Sequence, residues 1–430
     1  MKRRTAILSG LGVTALGAAI LRPSDHGAPH DAYFTRMAHA VRTAGIATPT
    51  LIIDQQRLLA NAQTIEHNIA GKIALRLVAK SLPCLGLLDA IMARLKTRRL
   101  MVFNLPQLLQ LANERPDTDL LLGKPMPIAA CAQFYRELKA GGFKPEQQLQ
   151  WLVDSKERLL QYRDLARAQG LNLRINLEID IGLHRGGIPD LATLKPLLDI
   201  LQQEPRLQWS GMMGYDAHIN KLPDLPGKRQ DALQHALTLY RELHGAALAQ
   251  LGNPGGQPLC LNTGGSPTYR LHDGSATANE VSLGSALLKA SDFDTPMLQD
   301  LNSAVFIATP VLKAQSRFDM PYGVELLGNL ARGWDKNQQR AYFIYGGNWL
   351  ADPVSPAGIA TSGLYGTSSN QQVVLGSGSQ QLQMDDILFF RPRQSEAVLL
   401  QFGALALYEA GQGSAPSKIT ERWEPMPASA

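Results

Sequence analysis

Cysteine, aromatic residues and excess charge are all scarce in this chain of 430 residues. Its three cysteines, Cys84, Cys131 and Cys260, have neither metal-site nor disulfide spacing, so we expect buried thiols. The net charge of +5 is small for this length. No cluster of lysine and arginine alternates with aromatic residues, which argues against nucleic-acid binding. Beyond the N-terminus, no apolar run is long enough to cross a bilayer.

The N-terminal segment, residues 1–30, differs in composition from the rest of the chain. Lys2, Arg3 and Arg4 precede an uncharged run over 6–21, as in a secretory signal. The adjacent arginines indicate the twin-arginine route, which predicts a periplasmic protein. Because no Ala-x-Ala cleavage site follows, attachment to the inner membrane through this segment is also open. A cytoplasmic protein with an apolar start is the alternative.

Strand-like and helix-like segments alternate from residue 48 over about 240 residues, a pattern typical of a parallel sheet covered by helices. The sequence therefore predicts an α/β fold, with a (β/α)8 TIM barrel over 31–300. A C-terminal β-rich domain over 301–410 and a flexible tail over 411–430 follow. A doubly wound open sheet is the alternative, disfavoured because no Gly-x-Gly-x-x-Gly turn follows an early strand.

Lys80 stands at the end of the short apolar strand predicted over 75–79. A lysine at the C-terminal end of a barrel strand faces the mouth, where the chemistry of TIM barrels lies. If its ammonium group is desolvated there, it can form a Schiff base. The alternative is a surface lysine that begins a loop.

Polar residues also follow four later predicted strands. In chain order they are Arg185, the pair Tyr215 and His218, the loop Thr263, Gly264, Gly265 and Ser266, and Ser285. Small residues with free backbone amides and hydroxyls can form a phosphate cradle at this end of a barrel. Taken singly, each has a structural explanation as a packed side chain or a turn. Together with Lys80, the set fits pyridoxal 5′-phosphate better than any other cofactor.

The chain resembles the fold-type III pyridoxal-phosphate enzymes, in particular the D-threonine aldolase and D-serine dehydratase branch, and alanine racemase more distantly. The resemblance is carried by short blocks at 48–54, 79–81, 178–185, 211–218, 263–269 and 280–285. It implies that Lys80 is the Schiff-base lysine and that Arg185 approaches the ring oxygen of the cofactor. Thr263, Gly264, Gly265, Ser266 and Ser285 would hold the phosphate, and Tyr215 would line the pocket.

The chain departs from this branch beside the lysine and, separately, at the residues that bind its divalent metal. Val78 and Leu82 occupy places where relatives carry histidines flanking the lysine. Gln394 and Glu396 stand where the C-terminal domain of relatives supplies metal ligands, and Gln371 replaces a further histidine. Glutamate can bind a hard cation, but glutamine is a poor substitute for imidazole. We therefore expect the metal site of this branch to be absent.

The resemblance implies a pyridoxal-phosphate-dependent lyase that acts on D-β-hydroxy amino acids through a Schiff base with the substrate. An amino-acid racemase and a D-serine dehydratase-like enzyme are alternatives, with His218 or a tyrosine such as Tyr365, from the same chain or from a partner subunit, as the second acid or base. A non-catalytic pyridoxal-phosphate-binding protein and a phosphate- or sugar-binding barrel are further alternatives. A homodimer is expected.

Overall fold

The computed structural model describes residues 22–69, 71–223, 225–253, 257–411, 413 and 415–428. Most of the predicted export segment lies outside these residues, so its export role stays a prediction. The described part of it, 22–30, is anchored by side-chain hydrogen bonds such as His30 Nδ1 with Ser355 Oγ at 2.7 Å. Among the described residues, no helix is both long and apolar enough to cross a membrane.

Helices and strands alternate through most of the described chain. The helices are α1 Ala32–Thr43, α2 Gln55–Ile69, α3 Leu85–Leu95, α4 Leu105–Glu114, α5 Ile128–Glu137, α6 Pro145–Gln148, α7 Lys156–Gln169, α8 Leu191–Gln203, α9 Lys228–Leu251, α10 Ser285–Leu288 and α11 Glu325–Trp334. The first nine strands are β1 Thr50–Asp54, β2 Ala74–Val78, β3 Arg99–Val102, β4 Asp119–Leu122, β5 Leu149–Val153, β6 Leu173–Ile179, β7 Leu207–Gly214, β8 Cys260–Thr263 and β9 Glu280–Leu283. The others are β10 Val305–Gln315, β11 Arg340–Tyr345, β12 Ala351–Ser355, β13 Ala360–Thr361, β14 Gln371–Gly376, β15 Ile387–Pro392, β16 Leu405–Glu409 and β17 Lys418–Trp423.

The chain divides into two compact units. We call the first the barrel unit; its described residues fall within 55–304, 394–403 and 423–428. We call the second the sheet unit; its described residues are 22–54, 305–393 and those of 404–422 that the structure covers. The chain therefore passes between the units several times.

The barrel unit contains a closed barrel of eight parallel strands, β2 to β9, in sequence order. Strand β9 pairs with β2, with Leu75 opposite Val281, so the sheet has no free edge. This closure confirms the predicted (β/α)8 fold and excludes the open doubly wound sheet. Polar side chains cap the first turns of several helices. At the start of α4, for example, the side chain of Asn104 accepts a hydrogen bond from the amide of Gln107.

The interior of the barrel contains a buried charged cluster. Arg76 of β2 is 1 % exposed, and its Nε donates to Glu280 Oε1 of β9 at 2.5 Å. Its second terminal nitrogen, Nη2, lies 2.6 Å from a carboxylate oxygen of Asp119 of β4. Because an unpaired buried charge is costly, Arg76 and Glu280 depend on each other, and with Asp119 at the edge of the cluster they join three strands.

The sheet unit is built on a nine-stranded sheet whose main path runs β13-β14-β11-β10-β1-β16-β17. Strand β15 pairs with both β10 and β12. Most pairs are antiparallel, while β1 and β16 are parallel. Helix α1 packs its apolar face on this sheet, where Phe34 meets Phe306 and Phe389. This unit confirms the predicted β-rich domain.

Two boundaries differ from those expected from the sequence. Residues 31–54, including β1, belong to the sheet unit and not to the barrel, because Leu51 pairs with Ile307 of β10. Part of the expected flexible tail is ordered as β17, and beyond it the amide of Met426 donates to the carbonyl of Pro83 at 2.7 Å. A strand that finds its partners far along the chain has no local signal of where it pairs.

Candidate active site

A cavity of about 540 Å³ opens at the C-terminal end of the barrel strands. Its charged lining residues are three cations and three carboxylates: Lys80, Lys124, Arg185, Asp154, Glu178 and Glu396. Glycines, serines and amides contribute most of the remaining polar surface. The volume lies in the range of small-molecule sites, and the lining offers several polar groups to a ligand.

Lys80 is delivered to this cavity by a single 3-10 turn, Ala79–Ser81, that directly follows β2. The side chain of Lys80 is 40 % exposed. Its Nζ lies 3.1 Å from Glu396 Oε1 and 4.7 Å from the centre of the Phe103 ring. The lysine therefore has an anion and an aromatic face beside its amine, and it remains accessible to a ligand in the cavity.

Glu396 is held in place by the same turn that carries Lys80. Ser81 Oγ donates to Glu396 Oε1 at 3.2 Å, and Ser285 Oγ donates to Ser81 Oγ at 3.0 Å. Glu396 lies in the segment Gln394–Gly403, where the chain returns to the barrel unit. The sequence marks Glu396 only as a replacement for a metal ligand, and no local pattern indicates that it lies beside Lys80.

Arg185 lies in a loop between β6 and α8 that is tied down at both ends. Asp180 Oδ1 accepts from the amides of Gly182 and His184, at 3.0 and 2.9 Å. After Arg185 the chain turns back at Gly187, whose φ of +101° favours glycine. A Cβ there would lie 2.8 Å from the amide nitrogen of Asp180. The loop thereby holds the arginine beside the cavity.

Tyr215 directly follows β7 and lies under the guanidinium of Arg185. The centre of its ring is 5.0 Å from Arg185 Cζ, a cation–π contact. Burial raises the pKa of Tyr215, and the nearby Arg185 opposes this shift. The phenol therefore stays protonated at neutral pH and can donate a hydrogen bond to a ligand.

The loop after β8 brings the predicted phosphate-binding residues together. Gly264 has a φ of +65°, which favours glycine. At Gly265 a Cβ would lie 2.5 Å from Cε2 of Tyr215, so no larger residue fits. Ser266 Oγ accepts from the amides of Gly284 and Ala286, at 3.2 and 3.1 Å, which joins this loop to the turn after β9.

A buried network supports that loop from behind. Thr268 Oγ1 donates to Asp216 Oδ1 at 2.5 Å and accepts from the amide of Gly265 at 3.2 Å. The other oxygen of Asp216 lies 2.7 Å from His272 Nε2. Since Asp216 immediately follows Tyr215, the network fixes the tyrosine and the glycine loop together. Sequence reasoning did not identify this network, because its members are not adjacent in the chain.

Glu178, the penultimate residue of β6, is the most perturbed carboxyl group of the cavity. Burial, reinforced by the neighbouring carboxylate of Asp154, raises the pKa of Glu178 to about 7, while Arg185 opposes the shift. The sequence contained this residue in the block that carries Arg185, but it gave no reason to assign it a role. Strongly shifted carboxyl groups in a cleft are candidates for function.

The structure corrects the expected position of two residues. Thr263 lies in β8 next to Asn262, and side chains alternate along a strand. Asn262 points into the barrel and bonds Glu280, so Thr263 points outward against Ala236 and Tyr240 of α9. It does not line the cavity.

His218 is the second corrected residue, since it does not line the cavity either. It precedes the 3-10 turn Ile219–Lys221, and its ring lies against Gly182, where a Cβ would be 3.1 Å from Nε2. Burial lowers the pKa of His218. Tyr365, the other expected acid or base, belongs to the sheet unit, where its ring packs edge-on against Phe343.

The segment in which the resemblance places metal ligands makes contacts within the protein. Gln394 Nε2 donates to Asp292 Oδ2 at 3.0 Å, and Glu396 pairs with Lys80. Within the described residues, no group of three or more His, Cys, Asp and Glu side chains is arranged to hold a metal ion. The absence of a metal site remains an expectation from the sequence.

A family model described as "Alanine racemase, N-terminal domain" matches residues 53–292, more than half of the chain. The chain belongs to this family. The resemblance to fold-type III pyridoxal-phosphate enzymes is thereby confirmed, and the family implies pyridoxal phosphate as its cofactor. No curated protein matches the sequence of this family member.

Solved structures share the fold of this alanine racemase family member at low sequence identity. D-threonine aldolase from Filomicrobium marinum has a TM-score of 0.68 and 18% identity, over 94% of this chain and 98% of that one. D-threo-3-hydroxyaspartate dehydratase from Delftia sp. HT23 has a TM-score of 0.67 and 17% identity, over 88% and 97%. Alanine racemase from Bacillus anthracis has a TM-score of 0.64 and 14% identity, over 88% and 98%. These structures establish the fold and not the reaction.

The residues around the cavity fit the cofactor that the family implies. Lys80 presents an accessible amine for an aldehyde, and Arg185 presents a fixed positive charge. Gly264, Gly265 and Gly284 line the cavity with backbone alone, and the hydroxyls of Ser266 and Ser285 lie beside them. Such backbone and hydroxyl donors suit a phosphate group.

Proposed function

We propose that the protein binds pyridoxal phosphate through Lys80 and cleaves D-β-hydroxy amino acids, as a lyase of the D-threonine aldolase type. The observation that carries the proposal is the position of Lys80 Nζ at the barrel mouth, 3.1 Å from a carboxylate and in one cavity with the glycine loops. A lysine with an acid–base partner next to a phosphate-binding loop is what this chemistry requires.

Each residue of the cavity has a defined task in this proposal. Lys80 would hold the aldehyde carbon of the cofactor, while Gly264, Gly265, Ser266 and Ser285 would hold its phosphate. When bound, pyridoxal phosphate withdraws electrons from Cα of an attached amino acid. Lys80, once free, moves a proton at Cα. Arg185 supplies a positive charge next to the protonated phenol of Tyr215.

The D-β-hydroxy amino acids are proposed because the sequence blocks around Lys80 and Arg185 lie nearest the aldolase and dehydratase branch. Two of the structures that share the fold are named as enzymes of this branch, the D-threonine aldolase and the D-threo-3-hydroxyaspartate dehydratase. Both act on amino acids with an oxygen at Cβ, as their names state. The proposal extends that substrate class to this chain.

Product identification tests this function. Purified protein is incubated with pyridoxal phosphate and a panel of D- and L-amino acids, with and without Mn²⁺. Glycine plus an aldehyde from a D-β-hydroxy amino acid is the expected result. A keto acid plus ammonia would select the dehydratase, and the enantiomer would select the racemase. Cofactor binding without turnover of any amino acid would select the non-catalytic alternative.

We also propose that the protein is exported, and that it works as a homodimer. The apolar N-terminal run after Arg3 and Arg4 supports a location in the periplasm or at the inner membrane. Cell fractionation tests the first proposal, since full-length protein found only in the cytoplasm contradicts it. Light scattering of the purified protein tests the second, for which a monomer is the contrary result.

A further inference from the structure

We propose that Glu396 is a catalytic base, which takes the proton of the substrate's β-hydroxyl and returns it through Lys80. This inference rests on the proposed cleavage reaction and assigns the residue that begins it. The Lys80–Glu396 pair would then act as a two-residue proton relay, with Ser81 holding the carboxylate in position.

The first support is the bonding of the carboxylate. Oε1 of Glu396 is engaged by both Lys80 Nζ at 3.1 Å and Ser81 Oγ at 3.2 Å. Oε2 accepts no hydrogen bond from any residue in the described ranges. One oxygen is therefore fixed, and the other is left to accept a proton from a ligand.

The second support is access. The side chain of Glu396 is 33 % exposed, that of Lys80 is 40 % exposed, and both line the same cavity. In the proposed reaction the amine of the substrate takes the place of Lys80 Nζ, and Cβ lies two bonds from that nitrogen. A carboxylate within hydrogen-bond distance of Nζ is therefore within reach of a hydroxyl on Cβ.

The relay returns Glu396 and Lys80 to their starting charges after each cleavage. Glu396 takes the proton from the β-hydroxyl, the C=O bond of the aldehyde forms, and the Cα–Cβ bond breaks with its electron pair left on Cα. The ammonium group of Lys80 then gives a proton to Cα. Finally the carboxyl group of Glu396 gives its proton to the neutral amine of Lys80, and this restores the ion pair.

Two serines hold the carboxylate of Glu396 in position. Ser285 Oγ donates to Ser81 Oγ, and Ser81 in turn donates to Glu396. This chain of hydroxyls begins at the turn after β9 and ends at the carboxylate. It limits the rotation of the long side chain of Glu396. The distance between Glu396 and Lys80 is therefore determined by residues of the barrel unit.

Glu396→Gln is the decisive variant, because it keeps the shape of the side chain and removes its basicity. Glu66→Gln is the matched control, since Glu66 is also paired with a cation, Arg94 at 2.8 Å, on the surface of the same unit. Loss of a general base lowers rates by about 10²–10⁴-fold. We expect this loss in kcat for cleavage of D-threonine by Glu396→Gln, partial rescue by Glu396→Asp, and no loss in the control.

Two further measurements separate catalysis from structure. The first is exchange of the Cα hydrogen of glycine in D2O, which involves no hydroxyl and is expected to survive in Glu396→Gln within about tenfold. The second is the pH titration of the absorbance of the Lys80–cofactor imine, which needs no turnover. Removing the anion beside Nζ is expected to lower the pKa of that imine by about 1–3 units.

Wild-type rates of cleavage in Glu396→Gln would overturn the inference. Equal loss of cleavage, glycine exchange and the imine absorbance would also overturn it, because it would show a structural role. Failure of the proposed function looks different, since the wild-type protein itself would then release no aldehyde from any D-β-hydroxy amino acid. In that case the role of Glu396 falls together with the proposed function.

Discussion

Asp216 and His272 lie 2.7 Å apart behind the glycine loop of the cavity, although 56 residues separate them in the chain. Both are buried, and Thr268 bonds the other oxygen of Asp216. The pair connects the end of β7 with the loop after β8. It therefore couples the position of Tyr215 to the position of the loop that we assign to the phosphate.

Thr268→Val removes one hydroxyl from this network at nearly constant volume. Asp216 and the amide of Gly265 then each lose a buried partner, so the free energy of unfolding should fall by about 1–3 kcal/mol. We also expect weaker binding of pyridoxal phosphate in an absorbance titration. Thr35→Val, at an exposed helix position, is the control. Unchanged stability and unchanged affinity would contradict the role assigned to the network.

Gly265→Ala tests the close contact between the glycine loop and Tyr215. The added Cβ would lie 2.5 Å from Tyr215 Cε2, so either the loop or the ring must move, at a cost of about 1–3 kcal/mol. Gly245→Ala, on the exposed side of α9, meets nothing within 4 Å and should stabilise by about 0.5–1 kcal/mol. Urea denaturation of both variants gives the comparison. A Gly265→Ala variant as stable as wild type is incompatible with this packing.

Glu178 should make the stability of the protein depend on pH. Its pKa in the folded state is about 7, whereas the pKa of a glutamate in an unfolded chain is about 4.3. Between these values the folded chain binds more protons than the unfolded chain, so this contribution to stability is lost as pH rises through 7. Because Glu178→Gln lacks this titration, its free energy of unfolding minus that of wild type should increase from pH 5 to pH 8.

The test of the Glu178 prediction is urea denaturation without added cofactor at both pH values, because a ligand would add its own linkage. The difference in unfolding free energy between Glu178→Gln and wild type is the measured quantity. Asp190→Asn is a useful control, since hydrogen bonds from Thr193 lower the pKa of this exposed carboxyl group, which is then ionised in both states, so its difference from wild type should not change between pH 5 and pH 8. A difference that is constant with pH would argue against a raised pKa at Glu178.

Glu280→Ala should show that the charged barrel interior supports the fold. Arg76 would keep its burial but lose the carboxylate that now lies 2.5 Å from its Nε. Breaking a buried pair by removing one partner lowers stability by about 3–5 kcal/mol. The surface variant Glu66→Ala should lower it by less than about 1 kcal/mol. Equal effects of the two variants in thermal or urea unfolding would refute the distinction.

The barrel was predictable from the sequence because its signal is local. Short apolar runs alternate with capped helices, and each polar cluster directly follows its own strand, as Lys80 follows β2. Residues that depend on strand alternation were less predictable: Thr263 and Asn262 are neighbours, yet they face opposite sides of the barrel wall. A shift of one residue in the expected strand end exchanges their roles.

Contacts between distant segments could not be predicted from a single sequence. Glu396 lies 316 residues after Lys80 in the chain, and nothing near either residue indicates that they pair. Strand β1 carries an ordinary apolar pattern that suits a barrel as well as the mixed sheet in which it lies. The raised pKa of Glu178 likewise arises from burial and from Asp154, which follows a different strand.

The most direct test of the account is to locate the cofactor's covalent bond. The protein is incubated with pyridoxal phosphate, the imine is reduced with borohydride, and peptide masses identify the modified lysine. The account predicts the pyridoxyl adduct on Lys80 and its loss in Lys80→Ala, while Lys124, the other lysine lining the cavity, stays unmodified. No adduct, or an adduct on a different lysine, would contradict it.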